Sequence, residues 1–332
     1  MNEKFQLTRL QELNADFTQI KGQPFSHFFC PVLYRDDDVA LCKAHIVNQA
    51  FPEAPLDWTV QRKDVDNFYG STFESEFVAV QYNAQTRDDI FADKKLSNLF
   101  KPQILVDNKP VDYFVADSEI PKDFTRLQFD NNGQIIQLAL KMSPEVFDAA
   151  KENNWEMAIS KDVRVPALVS LIKAAHLTLF EMLGYRYALS AGGHFVGRHI
   201  LGEFFLQNYG KPRPDALKNA YPFFREFANM VRPVNSSEIN FQGTITDKQL
   251  LLCQEYGGTA WAIVVFVKAA QSLHAVLLPF FDQPDAVAKY FKFLQYENET
   301  VEVVLMQFEK EQFKLIRPTK LIWPKNGILY PD

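Results

Sequence analysis

The sequence predicts an α+β protein. Some stretches space their apolar residues at the helical period, while others are short apolar runs flanking turn residues. The chain has 332 residues, 47% hydrophobic and 14% aromatic, which supplies enough burying surface for packed cores. At ~100–200 residues per domain, two domains are expected. The change in texture places the boundary near residue 100. A small module is expected over 1–100 and a larger mixed α+β domain over 101–332, with a central helical segment over 166–230, C-terminal strands and a subdivision near 235.

Residues 2 to 20 carry Phe5, Leu7, Leu10, Leu13 and Phe17 near helical spacing, which predicts an amphipathic lead-in helix. Between Phe25 and Phe51 the acidic turn Arg35-Asp36-Asp37-Asp38 is expected to separate two short strands. Phe68, Phe73, Phe77 and Val80 then share one face of a helix over 67–80. Ile104-Leu105-Val106 and Tyr113-Phe114-Val115 read as strands around Asp107-Asn108-Lys109-Pro110. Asp130-Asn131-Asn132-Gly133 marks a hairpin between strands over 124–129 and 135–140. Ser143-Pro144-Glu145 opens a helix with a Ser cap and a first-turn proline, and Pro166 opens a longer one through Leu183. Further helices are expected over 194–208 and 215–229. Strands over 248–254 and 260–268 follow, joined across Tyr256-Gly257-Gly258, with Cys253 in the core.

A formal net charge of −6 excludes a protein that coats nucleic acid by charge alone. One stretch is an exception, since residues 160 to 234 hold 10 Lys and Arg against 5 Asp and Glu, and also contain His176, His194 and His199. Such a stretch is either a solvated basic helical face or a phosphate-facing surface, with Arg186, Arg198 and Arg213 as the candidate nucleic-acid contacts. Three cysteines argue against a disulfide framework. No secretory leader is readable at the start, and the longest apolar run, Trp261 to Val267, is far short of a bilayer span. A cytoplasmic chain without a membrane partner is expected.

Near the N-terminus, His27-Phe28-Phe29-Cys30 and Cys42-Lys43-Ala44-His45 each separate two soft-metal ligands by two residues. Facing one another across a hairpin, His27, Cys30, Cys42 and His45 could close a tetrahedral shell around Zn²⁺. The alternative is that both cysteines are small buried residues. The run Leu41 to Phe51, containing His45-Ile46, is followed by Asp64-Val65-Asp66-Asn67-Phe68-Tyr69-Gly70-Ser71-Thr72-Phe73-Glu74. These two elements, in this order, resemble the core of the HNH endonucleases, the ββα-metal family, over about residues 27 to 80.

The resemblance implies a small hairpin-and-helix nuclease module that hydrolyses phosphodiesters with one His and one divalent ion, Mg²⁺ or Zn²⁺. His45 would be the general base, and Asn67 would tie the helix to the His-bearing turn unless it serves as a helix N-cap. Glu74 or Glu76 would hold the metal, with Asp64 or Asp66 as substitutes. The residue before the base His, an acid or a His in that family, is Ala44 here. A base cannot also be a zinc ligand, so the two metal readings compete for His45. The rest of the chain would select a nucleic-acid target or a protein partner, and if the centre is inactive the module would be a zinc-stabilised interaction domain.

A second cluster places five of the 13 glycines, at 184, 192, 193, 197 and 202, in one short span. They either present backbone N–H groups to a phosphate or let another element approach closely. No Gly-Lys-Ser/Thr follows, which excludes a P-loop, and neither a serine nucleophile elbow nor a dinucleotide fingerprint is present.

Overall fold

Antiparallel pairing accounts for every strand contact in the computed structural model, which describes residues 3–51, 54–78, 103–106, 109–111, 113–115, 124–131, 134–141, 155–158, 164–234, 249–254, 260–269, 272–280, 284–295, 300–309 and 312–322. With helices beside these sheets the class is α+β. Contacts divide the chain into two compact units: residues 1–75 together with 164–332, and residues 76–163. That division departs from a boundary at residue 100. The N-terminal segment buries its aromatic residues against the chain beyond 164, so it belongs to a discontinuous unit.

The intervening unit contributes two three-stranded antiparallel sheets. One has β3 (Gln103–Val106) between β4 (Lys109–Val111) and β8 (Trp155–Ala158). The other has β7 (Gln134–Lys141) between β5 (Tyr113–Val115) and β6 (Phe124–Asn131). The expected hairpin is present, with Asn131 opposite Gln134. The helix expected from Ser143 lies outside the described residues, as do Tyr256, Gly257 and Gly258.

In the discontinuous unit, α1 (Glu3–Lys21) is the lead-in helix. The segment after it does not form two strands. A single bridge joins Phe29 to Asp36, while the Asp36 carboxylate accepts from the N–H groups of Ser26 and His27 at 2.6 and 2.9 Å. Pro31 has no N–H, and Tyr34 sits at φ 56°, so neither can continue a ladder. The strand β1 (Leu41–His45) instead pairs with β2 (Trp58–Arg62), and the chain passes directly into α2 (Lys63–Tyr69). The helix continues as one π-helical segment, Gly70–Glu74, and then to residue 78.

The helix α3 (Arg164–Leu183) runs through the centre, with Leu168, Leu171, Ile172, Ala175, Leu179 and Phe180 buried. By length and composition Val165–Leu183 could cross a membrane, but 83% of its most apolar window is buried inside the protein, as in a core helix. The expected helix over 194–208 is interrupted. A short turn, Ala191–His194, gives way to a π-helical segment, Phe195–Gly202, and then to Glu203–Asn208. Along it Gly197 abuts the Pro31 carbonyl and Gly202 the Val32 carbonyl, so the wider π turn fits where backbones meet. After α4 (Arg213–Arg225) and β9 (Val231–Pro233), the chain builds β10 (Gln249–Gln254), β11 (Ala260–Ala269) and β12 (Ser272–Pro279). It finishes with α5 (Pro284–Gln295), β13 (Thr300–Glu309) and β14 (Gln312–Ile322). These strands form a six-stranded sheet in the order β14-β13-β10-β11-β12-β9. Trp261 to Val267 is its central, two-sided buried strand, and Cys253 is fully buried beside it.

Candidate active site: a polar groove on the strand–strand–helix unit

Strand alternation decides which β1 residues face out. Ala44 is buried, so alternation sets its neighbours Lys43 and His45 on the opposite face of β1. On α2 and the π-helical segment, Asp66, Asn67, Gly70, Ser71 and Glu74 recur at helical spacing along one side. Together with Asn48 and Gln49, from the turn after β1, these seven residues line a polar cavity of about 400 Å³. Lys43, Gln49, Asn67 and Ser71 form its exposed rim, and Glu74 is buried at its floor.

His45 and Asn67 therefore line the same cavity. The tether between helix and turn is made by another residue. The Asn48 side-chain amide donates to Glu74 Oε2 at 3.3 Å, while its oxygen accepts from the Ala50 N–H at 2.9 Å. Asn67 lies inside α2, whose N-cap is Arg62, so it is not a cap either. Neither the His45 imidazole nor the Asn67 amide has a hydrogen-bond partner among the described residues, leaving both available to a ligand.

The floor is held by a residue that the sequence motifs do not include. Lys173 on α3 is fully buried, and its ammonium donates to Glu74 Oε1 at 2.6 Å and Asp66 Oδ1 at 3.1 Å. Burial by itself would push the ammonium toward neutrality, but the adjoining Glu74 and Asp66 carboxylates outweigh it and hold Lys173 charged, above its ordinary value. The signal was present in the sequence. A lone Lys inside the apolar run from Val165 to Leu179 must find an opposite charge when the helix is buried.

The other candidate ligands are engaged elsewhere. Asp64 chelates Arg62, at 2.8 and 3.1 Å, and the same guanidinium also bonds Asp37. Glu76 is buried and does not line the groove. The Cys42 thiol lies 3.8 Å from Asp66 Oδ2, and burial with that carboxylate pushes its pKa up to about 12. Cys30 is buried against the Gln61 side chain, with its thiol raised to about 11 by burial, and half-exposed His27 faces Asp36. Among the described residues, no three His, Cys, Asp or Glu side chains come together to hold a metal ion. The four-ligand zinc shell is thus not assembled, and a divalent ion does not fit the acids Asp66 and Glu74, which a resident ammonium already neutralises.

The three arginines occupy different elements. Arg186 is exposed on the short helix Tyr185–Ala188, and Arg198 is half-buried in the π-helical segment near His194. Only Arg213 reaches toward the groove, donating to Ser75 Oγ at 3.1 Å just beyond Glu74. The glycines are packing positions. Gly192 abuts the Pro279 carbonyl and Gly193 that of Tyr187, and the Gly193 N–H is taken up by Ser190 Oγ at 3.0 Å rather than left for a phosphate. A second cavity of about 660 Å³ is bordered by Lys21, Tyr34, His194, Phe195, His199 and Phe291. Its two histidine rings are 4.9 Å apart, and burial, with His199 and Arg198 nearby, holds His194 below its ordinary pKa.

Comparison of the chain with protein-family models, with curated proteins and with solved structures finds no match.

Proposed function

We propose that the chain is a nucleic-acid phosphodiesterase whose active groove lies between β1 and α2, with His45 as general base. The observation that carries this reading is that His45 and Asn67 line one polar groove, in the strand–strand–helix order of the motif. A phosphodiester seated there would meet Lys43 at the rim, the amides of Asn48 and Asn67 and the Ser71 hydroxyl as polar contacts, and an unpartnered imidazole to take a proton. Arg213 extends positive charge along the same helix.

His45→Ala should lower cleavage of a labelled oligonucleotide by ~10²–10⁴-fold with the circular dichroism spectrum and thermal transition unchanged, because the side chain makes no hydrogen bond to the described residues. Full activity in the purified variant would refute the assignment. The capture of both groove acids by Lys173 favours a second reading, a non-catalytic module that holds nucleic acid or a protein partner. Tight oligonucleotide binding without turnover by the wild-type chain would support it.

A further inference from the structure

We infer that Lys173 is the resident cation of the groove, and that the groove acts without a divalent ion on RNA, whose own 2′-hydroxyl supplies the nucleophile. This inference rests on the phosphodiesterase reading above. A metal-dependent phosphodiesterase needs carboxylates that are free to hold the ion. Here Asp66 and Glu74 present their oxygens to one ammonium at 3.1 and 2.6 Å, and Glu74's other oxygen accepts from Asn48 at 3.3 Å. Asp66's other oxygen faces the Cys42 thiol at 3.8 Å. Ala44, where a third ligand would project, has no ligating group and points into the core. A divalent ion at this floor would face the Lys173 charge at close range, in surroundings that screen it poorly.

Without an ion to generate hydroxide from water, attack by solvent is slow. An attacking group already attached next to the phosphorus gains the advantage of proximity, and RNA carries one at every nucleotide. In the step, a His45 ring nitrogen takes the 2′-hydroxyl proton as O2′ bonds to phosphorus. The P–O5′ bond then breaks with its electron pair on O5′, which takes a proton from water. The imidazolium returns its proton to the hydroxide so formed, and the products are a 2′,3′-cyclic phosphate and a 5′-hydroxyl. Lys43 lies two residues before His45 on the same face of β1 and supplies the positive charge at the rim.

Two measurements on the full chain test this inference. The first titrates Mn²⁺ by electron paramagnetic resonance. Wild type should show no saturable binding, whereas Lys173→Met, nearly isosteric and uncharged, should bind Mn²⁺ saturably, at least ~10-fold below the highest concentration tested with wild type, as its acids are released. Adding Asp66→Asn and Glu74→Gln to that variant should abolish the gain. Saturable binding by wild type would overturn the inference, and that result stands even if Lys173→Met fails to fold. The second measurement cleaves matched oligonucleotides in EDTA. Ribonucleotide substrate should be cut to cyclic-phosphate ends, and a single 2′-deoxy position should block cutting there. Equal cleavage of DNA, or loss of activity in EDTA, would overturn this inference and leave the phosphodiesterase reading intact. No cleavage of either polymer, with or without Mn²⁺, would remove both.

Discussion

Lys173 and His176 lie one turn apart on α3, equally buried, and they resolve the cost of burial in opposite ways. Lys173 keeps its charge because two carboxylates meet it. His176 meets none. Its Nε2 donates to the Pro31 carbonyl at 3.1 Å and its Nδ1 accepts from the Tyr187 hydroxyl at 3.0 Å, an assignment that follows because a carbonyl can only accept. Burial pushes its pKa down to about 4. Between that value and ~6.5 the unfolded chain binds a proton that the folded chain does not, so stability falls as pH drops through this window, by about 3 kcal/mol in total. Urea unfolding of wild type and His176→Leu from pH 7 to pH 4.5 should show the variant with a shallower loss. Parallel curves would contradict the account. Neither residue announced its role by motif. What was legible was a polar side chain within an apolar helix, and what was not was the identity of the partner, which depends on which distant elements α3 meets.

At the scale of elements, turns and helix starts are encoded by local residues, whereas long-range strand pairing is not. The turn Asp130-Asn131-Asn132-Gly133 carries its own hairpin signal, and Pro166 lies at the opening of α3, so both were legible. The partner of β1 was not, because it lies across residues 46 to 57 and no local residue encodes that pairing. Likewise the π-helical segment Phe195–Gly202 reads as ordinary helix until its glycines are seen against other backbones. A Cβ built on Gly197 would lie 2.3 Å from the Pro31 carbonyl oxygen and 3.0 Å from His176 Cε1. Gly197→Ala should therefore cost ~1–3 kcal/mol through overpacking despite the better helix propensity of Ala. Chemical denaturation with an unchanged m-value would measure it. A neutral or stabilising result would mean that the segment can shift away from Pro31.

At the scale of the molecule, the candidate groove is local in sequence but its support is remote. Phe68 meets Phe205 with ring centroids 5.2 Å apart, Phe73 meets Phe204 at 5.7 Å, and Tyr69 donates to the Leu201 carbonyl at 2.6 Å. Tyr185 bonds the Phe29 carbonyl, and Lys173 completes the floor. A fragment ending at residue 100 would lose all of these contacts. It should show no cooperative thermal transition and should bind a hydrophobic dye, whereas a sharp transition would mean that the strand–strand–helix unit carries its own core. The discontinuous unit also bears on biosynthesis. A ribosome adding ~5–20 residues per second needs about 4–18 s to make residues 76–163. Throughout that interval the aromatic face of α2 has been made but its partners on the later helices have not. The nascent chain thus presents an unfinished aromatic face until residues 201–205 have been made.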